Sequence, residues 1–304
     1  MLWLINKIAK RLDWEWHKWT DAIYSNCIKP PRIMSFDECV DYILANRASV
    51  SRMGDGELNV IYGKSLGFQE KNERLGERLR EVMTREIPGL LVCIPDTFGK
   101  LVKYTVEQQN FWRANNYYNR RRWYSLFQPG RKYGDAFLSR FYSMEFDHDL
   151  SRHRIQSLRL LWDKRDIIFI EGKDTKMGVG NDLFDNAASI CRVLCPAKSA
   201  FDRYDSIVDT VKSMNHSEND LYVLALGPTA TVMAADLHLL GFQALDLGHL
   251  DIEYEWFRRG VTKKVPIAGK FSNEAVILGL AKNAVSGEIS SEAYTSQIVA
   301  DLSM

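Results

Sequence analysis

Five cysteines in 304 residues, an odd number with no CxxC pair, exclude a disulfide framework as the basis of the fold. Cys27, Cys39, Cys93, Cys191 and Cys195 sit mostly within apolar runs, as free thiols in a reducing cytoplasm would. No run reaches the roughly 20 apolar residues that span a bilayer. The N-terminus also lacks the apolar core and small-residue cleavage site of a secretory signal. A soluble or peripheral, cytoplasmic protein is expected. One-sided charge is missing too: Lys plus Arg number 40 against 39 Asp plus Glu, a formal net charge of +1. No global field recruits nucleic acid, so an anionic ligand must be held by a local site. There is no GxGxxG, GxxxxGK[ST] or HExxH, which removes the standard dinucleotide, P-loop and zinc-protease readings. Internal repeats and low-complexity tracts are absent.

What is present is 46% hydrophobic residues, enough for one large core or two modest ones. The first 25 residues read as an amphipathic helix. Ile5, Leu12, Trp16, Trp19 and Ile23 fall on one face, and Lys7, Lys10, Arg11 and Lys18 lie opposite. The Pro30-Pro31 pair ends it. Such a face suits docking onto the protein's own domain, or a membrane interface or partner. Residues 1–30 are therefore read as an extension and 31–304 as the main domain.

From Ser35 the chain alternates helices and strands. Ser35 with Glu38 forms a capping box for a helix to about Arg47, and "ASVSRM" follows as a strand. Further strands are expected at 89–95, 166–172, 189–195, 221–227 and 242–248. Their near-continuous hydrophobicity implies burial on both faces. Helical patterns near 70–86, 100–118, 148–164, 201–214 and 229–240 lie between them. The class is α/β with a mostly parallel sheet. Residues 111–145 break this rhythm and concentrate aromatics with Arg and Lys, the composition of a binding surface. Tyr133, Arg140 and Tyr142 are its candidate pocket residues.

Four stretches offer chemistry. In "SRMGDGELNV" Asp55 and Glu57 stand two apart, framed by Gly54 and Gly56. Residues two apart on a helix diverge by about 200°, so a shared cation requires an extended or looped backbone there. Two carboxylates with no His or Cys nearby suit Mg²⁺ or Mn²⁺, and Arg52 beside them suits phosphate. In "LALGPTATVMAADL" a strand ends at Gly227 and a helix starts near Thr229 to Thr231, a place for a phosphate on free backbone N–H groups. In "EGKDTKMGVGNDLF" a polar loop containing Gly178 and Gly180 leaves another strand, with Lys173, Lys176, Asn181 and Asp182 available to hold ribose, base or phosphate. Finally, "LDLGHLDIEYEWF" offers His249, Asp251, Glu253 and Glu255 within seven residues, where a general base is expected. An extended run would point its carboxylates one way; a helix would scatter them.

Taken with "YGDAFLSRFY", "CPAKSAFDRYDSI" and "GKFSNE", these motifs resemble the GT-D glycosyltransferase family, formerly a bacterial domain of unknown function, over about residues 35–280. The resemblance implies a Rossmann-like sheet flanked by helices and a DxE motif, here Asp55-Gly56-Glu57, that binds a divalent metal and a nucleotide-sugar. It further implies transfer of a hexose, glucose in characterised members, from a UDP-sugar to a protein-linked or lipid-linked glycan acceptor in bacterial surface glycosylation. Asp251 or Glu253 then stands as base for an inverting reaction, and a homo-oligomer is compatible with this picture. Met53 departs from an aromatic in the family pattern, and Lys173 and Lys176 from Glu and Arg, differences that bear on the donor. Two other classes remain: a metal-dependent nucleotide-sugar hydrolase or nucleotidyltransferase, and a non-catalytic partner subunit.

Overall fold

A computed structural model describes residues 2–271 and 292–304, with side chains from residue 12 onward. The end of the "GKFSNE" motif and the stretch to 280 lie outside the described residues, as do the side chains of Ile5, Lys7, Lys10 and Arg11.

Six strands form where strands were read, and three short ones, at 32–33, 132–135 and 298–301, add to them. They are β1 (Arg32–Ile33), β2 (Ser49–Arg52), β3 (Leu90–Ile94), β4 (Lys132–Asp135), β5 (Asp166–Gly172), β6 (Ser189–Cys195), β7 (Asp220–Ala225), β8 (Ala244–Asp246) and β9 (Ile298–Asp301). They make one sheet in the order β1-β4-β3-β2-β8-β7-β5-β6-β9. Every strand pairing within this sheet is parallel. All five residues of β3 are buried, because helices cover both faces of the sheet.

On one face lie α3 (Asp55–Ile61), α4 (Glu73–Thr84), the end of α5 (Val106–Tyr124), α7 (Tyr204–Ser213) and α8 (Pro228–Leu239). On the other lie α2 (Phe36–Asn46), α6 (His148–Arg159), α9 (Leu250–Arg258) and the 173–188 loop. Each face has its own continuous core, centred on Tyr222 and Trp123 in the first and on Trp162, Phe169 and Trp256 in the second. A short α10 (Glu292–Ser296) precedes β9. The Ser35–Glu38 capping box is present with both of its hydrogen bonds.

Three expectations change. Residues 111–145 do not break the rhythm: α5 runs on to Tyr124 and β4 pairs with β3, so the stretch completes a β-α-β unit. The chain from Asp55 is helical, not looped. The acidic run after residue 249 is also helical, so Glu253 points away from Asp251 and Glu255, which share one face.

The N-terminal helix α1 (Leu2–Cys27) packs on α5 through polar groups. Asp21 is fully buried and accepts from Arg120 at 2.6 Å and Arg113 at 3.1 Å. His17 stacks on Tyr117 with ring centroids 4.1 Å apart.

Candidate active site

The site lies along the carboxyl edge of the sheet, where β2 and β8 are neighbours and β4 stands beyond β3, the edge at which parallel α/β sheets hold ligands. β2 ends at Arg52, and after Met53 the extended Gly54 caps α3, placing Asp55 and Glu57 in its first turn. Glu57 Oε2 accepts the Gly54 N–H at 2.7 Å. A Cβ on residue 54 would lie only 2.9 Å from that oxygen, so a side chain there would shift the Glu57 carboxylate from its cap. Burial pushes the Asp55 carboxyl up, opposed chiefly by the positive charge of Arg140. Glu57 is pushed up to about 7, first by burial and then by the neighbouring charge of Asp246. Among the described residues neither carboxylate is in an ion pair.

Asp246, at the end of β8, was not singled out from sequence. It is 3% exposed and forks onto Arg52: Nη2 donates to Oδ1 at 2.8 Å and Nε to the Asp246 carbonyl at 2.7 Å. Thr231, buried on α8, donates to the Arg52 carbonyl at 2.8 Å and lies 3.2 Å from Asp246 Oδ2. Arg52 and Thr231 therefore lock β2, β8 and α8 together, and the Arg52 fork is already engaged. The signal that could have found Asp246 is an acid closing an otherwise apolar strand.

Arg140, beyond β4, reaches the same edge. Its Nη2 stands 3.0 Å from His249 Nε2, and its Nη1 is 3.9 Å from Glu253 Oε1. Arg52, Gly54, Asp55, Glu57, Arg140 and His249 are thus gathered at one place from stretches almost 200 residues apart in the chain.

The other predicted residues have anchoring surroundings. Glu253, fully buried, accepts from the Tyr142 and Ser143 N–H groups at 3.1 and 2.6 Å and from Ser143 Oγ at 2.5 Å. Burial pushes its carboxyl up. Asp251 accepts from Lys270 at 2.6 Å, Asn181 at 2.7 Å and the Gly178 N–H at 3.0 Å. Asn181 spends its amide on Asp251 and Glu255, so it fastens its loop to α9 rather than offering donors to a ribose. Gly180 has a positive φ of 79° in that loop, and Asp182 accepts from Tyr254 at 2.8 Å.

Tyr133 and Tyr142 are core residues rather than pocket walls. The Tyr133 hydroxyl accepts from the Gln128 N–H, and that of Tyr142 donates to Val261. The α8 start has the predicted form: Gly227 is exposed, and a Cβ there, at φ +55°, would lie 2.5 Å from the Phe68 ring. The Thr229 hydroxyl is buried there without a partner among the described residues.

Comparison with known proteins places this geometry. The family model described as glycosyltransferase GT-D fold matches residues 50–275. The chain is 37% identical over 274 residues to a Streptococcus gordonii protein named "Probable glycosyl transferase Gly". It is 34% identical over 272 residues to "Glycosyltransferase GlyD" of Streptococcus pneumoniae. These matches take in 89% and 88% of the chain but only 39% and 32% of the relatives, so it spans well under half their length. Among solved structures, one described as a new glycosyltransferase (DUF1792) from Streptococcus sanguinis superposes with a TM-score of 0.83 at 37% identity. That superposition covers 90% of this chain and 100% of that one. A second, described as a highly conserved domain of unknown function 1792 with a distinct glycosyltransferase fold, also gives 0.83 at 35% identity, covering 94% and 98%.

Proposed function

The chain belongs to the GT-D glycosyltransferase family, and on that premise we propose that it moves a hexose from a UDP-sugar to a glycan acceptor with a divalent cation at Asp55 and Glu57. The helical first turn of α3 sends the two carboxylates apart, so Asp55 would ligate the cation directly and Glu57, bonded to the Gly54 N–H, would meet it through its water shell. The observation that carries this reading is the acidic pair itself. Both carboxyls are pushed up by burial at the ligand-binding edge of the sheet, and neither has an ion-pair partner among the described residues. An all-oxygen donor set of this kind fits Mg²⁺ or Mn²⁺, whose charge would offset that burial cost. Bound there, the cation supplies neutralising charge for a diphosphate leaving group.

The chain's own residues do the rest. Arg52 and Asp246 hold the two strands that carry the site in register. Arg140 adds positive charge near Asp55, suited to a phosphate or to a charged transition state. His249 is partly exposed at the N-terminus of α9. With Nε2 3.0 Å from the Arg140 guanidinium at this edge, His249 is our candidate for the group that takes the proton of the acceptor hydroxyl. Asp251 and Glu253 position the neighbouring loops and are too enclosed to reach an acceptor.

The test is UDP release from UDP-glucose, UDP-galactose and UDP-N-acetylglucosamine with Mn²⁺, with and without a glycan acceptor mixture. The expected result is release that rises with acceptor and falls about 100-fold or more in Asp55→Asn, Glu57→Gln. Release indifferent to acceptor would indicate a hydrolase. A sugar phosphate product would indicate nucleotidyl chemistry, and no turnover with no UDP binding would indicate a partner subunit.

A further inference from the structure

The apolar face of α1 points away from the protein. Leu12, Trp16, Trp19 and Ile23 recur at i, i+4, i+7 and i+11, one stripe of a helix. They are 66%, 61%, 68% and 49% exposed. The face turned inward is the polar one, with His17 and Asp21 buried against α5. A helix that folds only for its own domain buries its apolar stripe, and this one buries its charge.

From this inverted seating we infer that α1 is a docking surface for an anionic lipid bilayer, lying in the interface with its tryptophans in the headgroup region. Three observations select lipid. Indole side chains favour the boundary between water and hydrocarbon, and Trp14, 40% exposed, adds a third beside the stripe. Basic residues outnumber acidic ones six to three over residues 1–32, while the chain as a whole is near neutral. One of the three acids, Asp21, is matched by Arg113 and Arg120; four of the basic residues lie opposite the stripe by their spacing, while Lys29 and Arg32 just beyond the helix are exposed, so the segment as a whole carries positive charge within a Debye length of an anionic surface. Third, the stripe offers on the order of 500 Å², short of the roughly 800 Å² per partner that a stable dimer buries. No helix among the described residues is long and apolar enough to cross a membrane, which leaves a surface-lying mode.

The inference stands apart from the donor reading. Its test is flotation of the full chain with vesicles of phosphatidylcholine containing about one-third phosphatidylglycerol, and with pure phosphatidylcholine. The expected result is flotation with the anionic vesicles, weaker at high salt. It should fall at least about tenfold in Trp16→Ser, Trp19→Ser, whose circular dichroism and melting temperature stay native because neither indole is buried. Absence of flotation, or equal flotation of the variant, overturns the inference. So does a concentration-dependent dimer, seen by light scattering and dissolved by the same variant, with no vesicle binding, since a second copy would then cover the face.

Discussion

Asp135 ends β4 with a carboxyl that burial and the nearby Asp96 push up to about 7, against one N–H bond from Phe137 at 2.9 Å. A folded-state value above the unfolded one means that ionisation costs stability: the cost is absent below about pH 4 and grows to about pH 7 at up to about 1.4 kcal/mol per unit. Asp135→Asn keeps the acceptor and removes the charge. Urea unfolding should therefore find the variant more stable than the native chain at pH 8 and equal to it at pH 4. At the chemistry, His249→Asn is expected to lower turnover about 100-fold while UDP affinity stays within about twofold, as calorimetry beside a rate assay would show. A comparable loss of UDP affinity would make His249 a donor-binding group. Asp55, Glu57 and Arg140 were legible because each stands in a motif, whereas Asp246 was not. Its partner Arg52 is 194 residues away, and no local spacing reveals a contact made by neighbouring parallel strands.

At the scale of elements, the strands with continuous apolar runs and the helix with a capping box could be read directly. β1, β4 and β9 could not, because two to four residues at or near a sheet edge carry no run to recognise. The amphipathicity of α1 was legible, but which face docks was not: that is decided by Asp21 meeting Arg113 and Arg120, which lie on a distant helix. Removing Asp21 leaves those guanidinium groups without their acceptor, Arg120 being only 8% exposed. Asp21→Ala should cost about 2 to 4 kcal/mol in chemical denaturation and make the chain near Pro30 more readily cleaved in limited proteolysis. An unchanged cleavage rate would show that α1 is held by other contacts. In α9 the helical backbone sends Glu253 to the Tyr142 and Ser143 N–H groups, while Asp251 and Glu255, one turn apart, share Asn181, so a run that reads as one acidic cluster divides into two anchors.

The whole molecule is a parallel sheet whose carboxyl edge collects the polar groups its buried strands cannot hold. Motif order carried the family and the α/β class, and the sheet explains the rest: β2 and β8 are neighbours, so the acidic pair, Arg52 and Asp246 form one unit. The central claim is that this unit binds a UDP-sugar through a cation on Asp55 and Glu57. It is tested most directly by calorimetry of UDP, with and without Mn²⁺, on the native chain and on Asp55→Asn, Glu57→Gln, in which an amide oxygen can still accept the Gly54 N–H. The account predicts UDP binding that requires Mn²⁺ and is lost in the double variant while its melting temperature holds. Binding of equal strength without the cation, or retained in the variant, would contradict it.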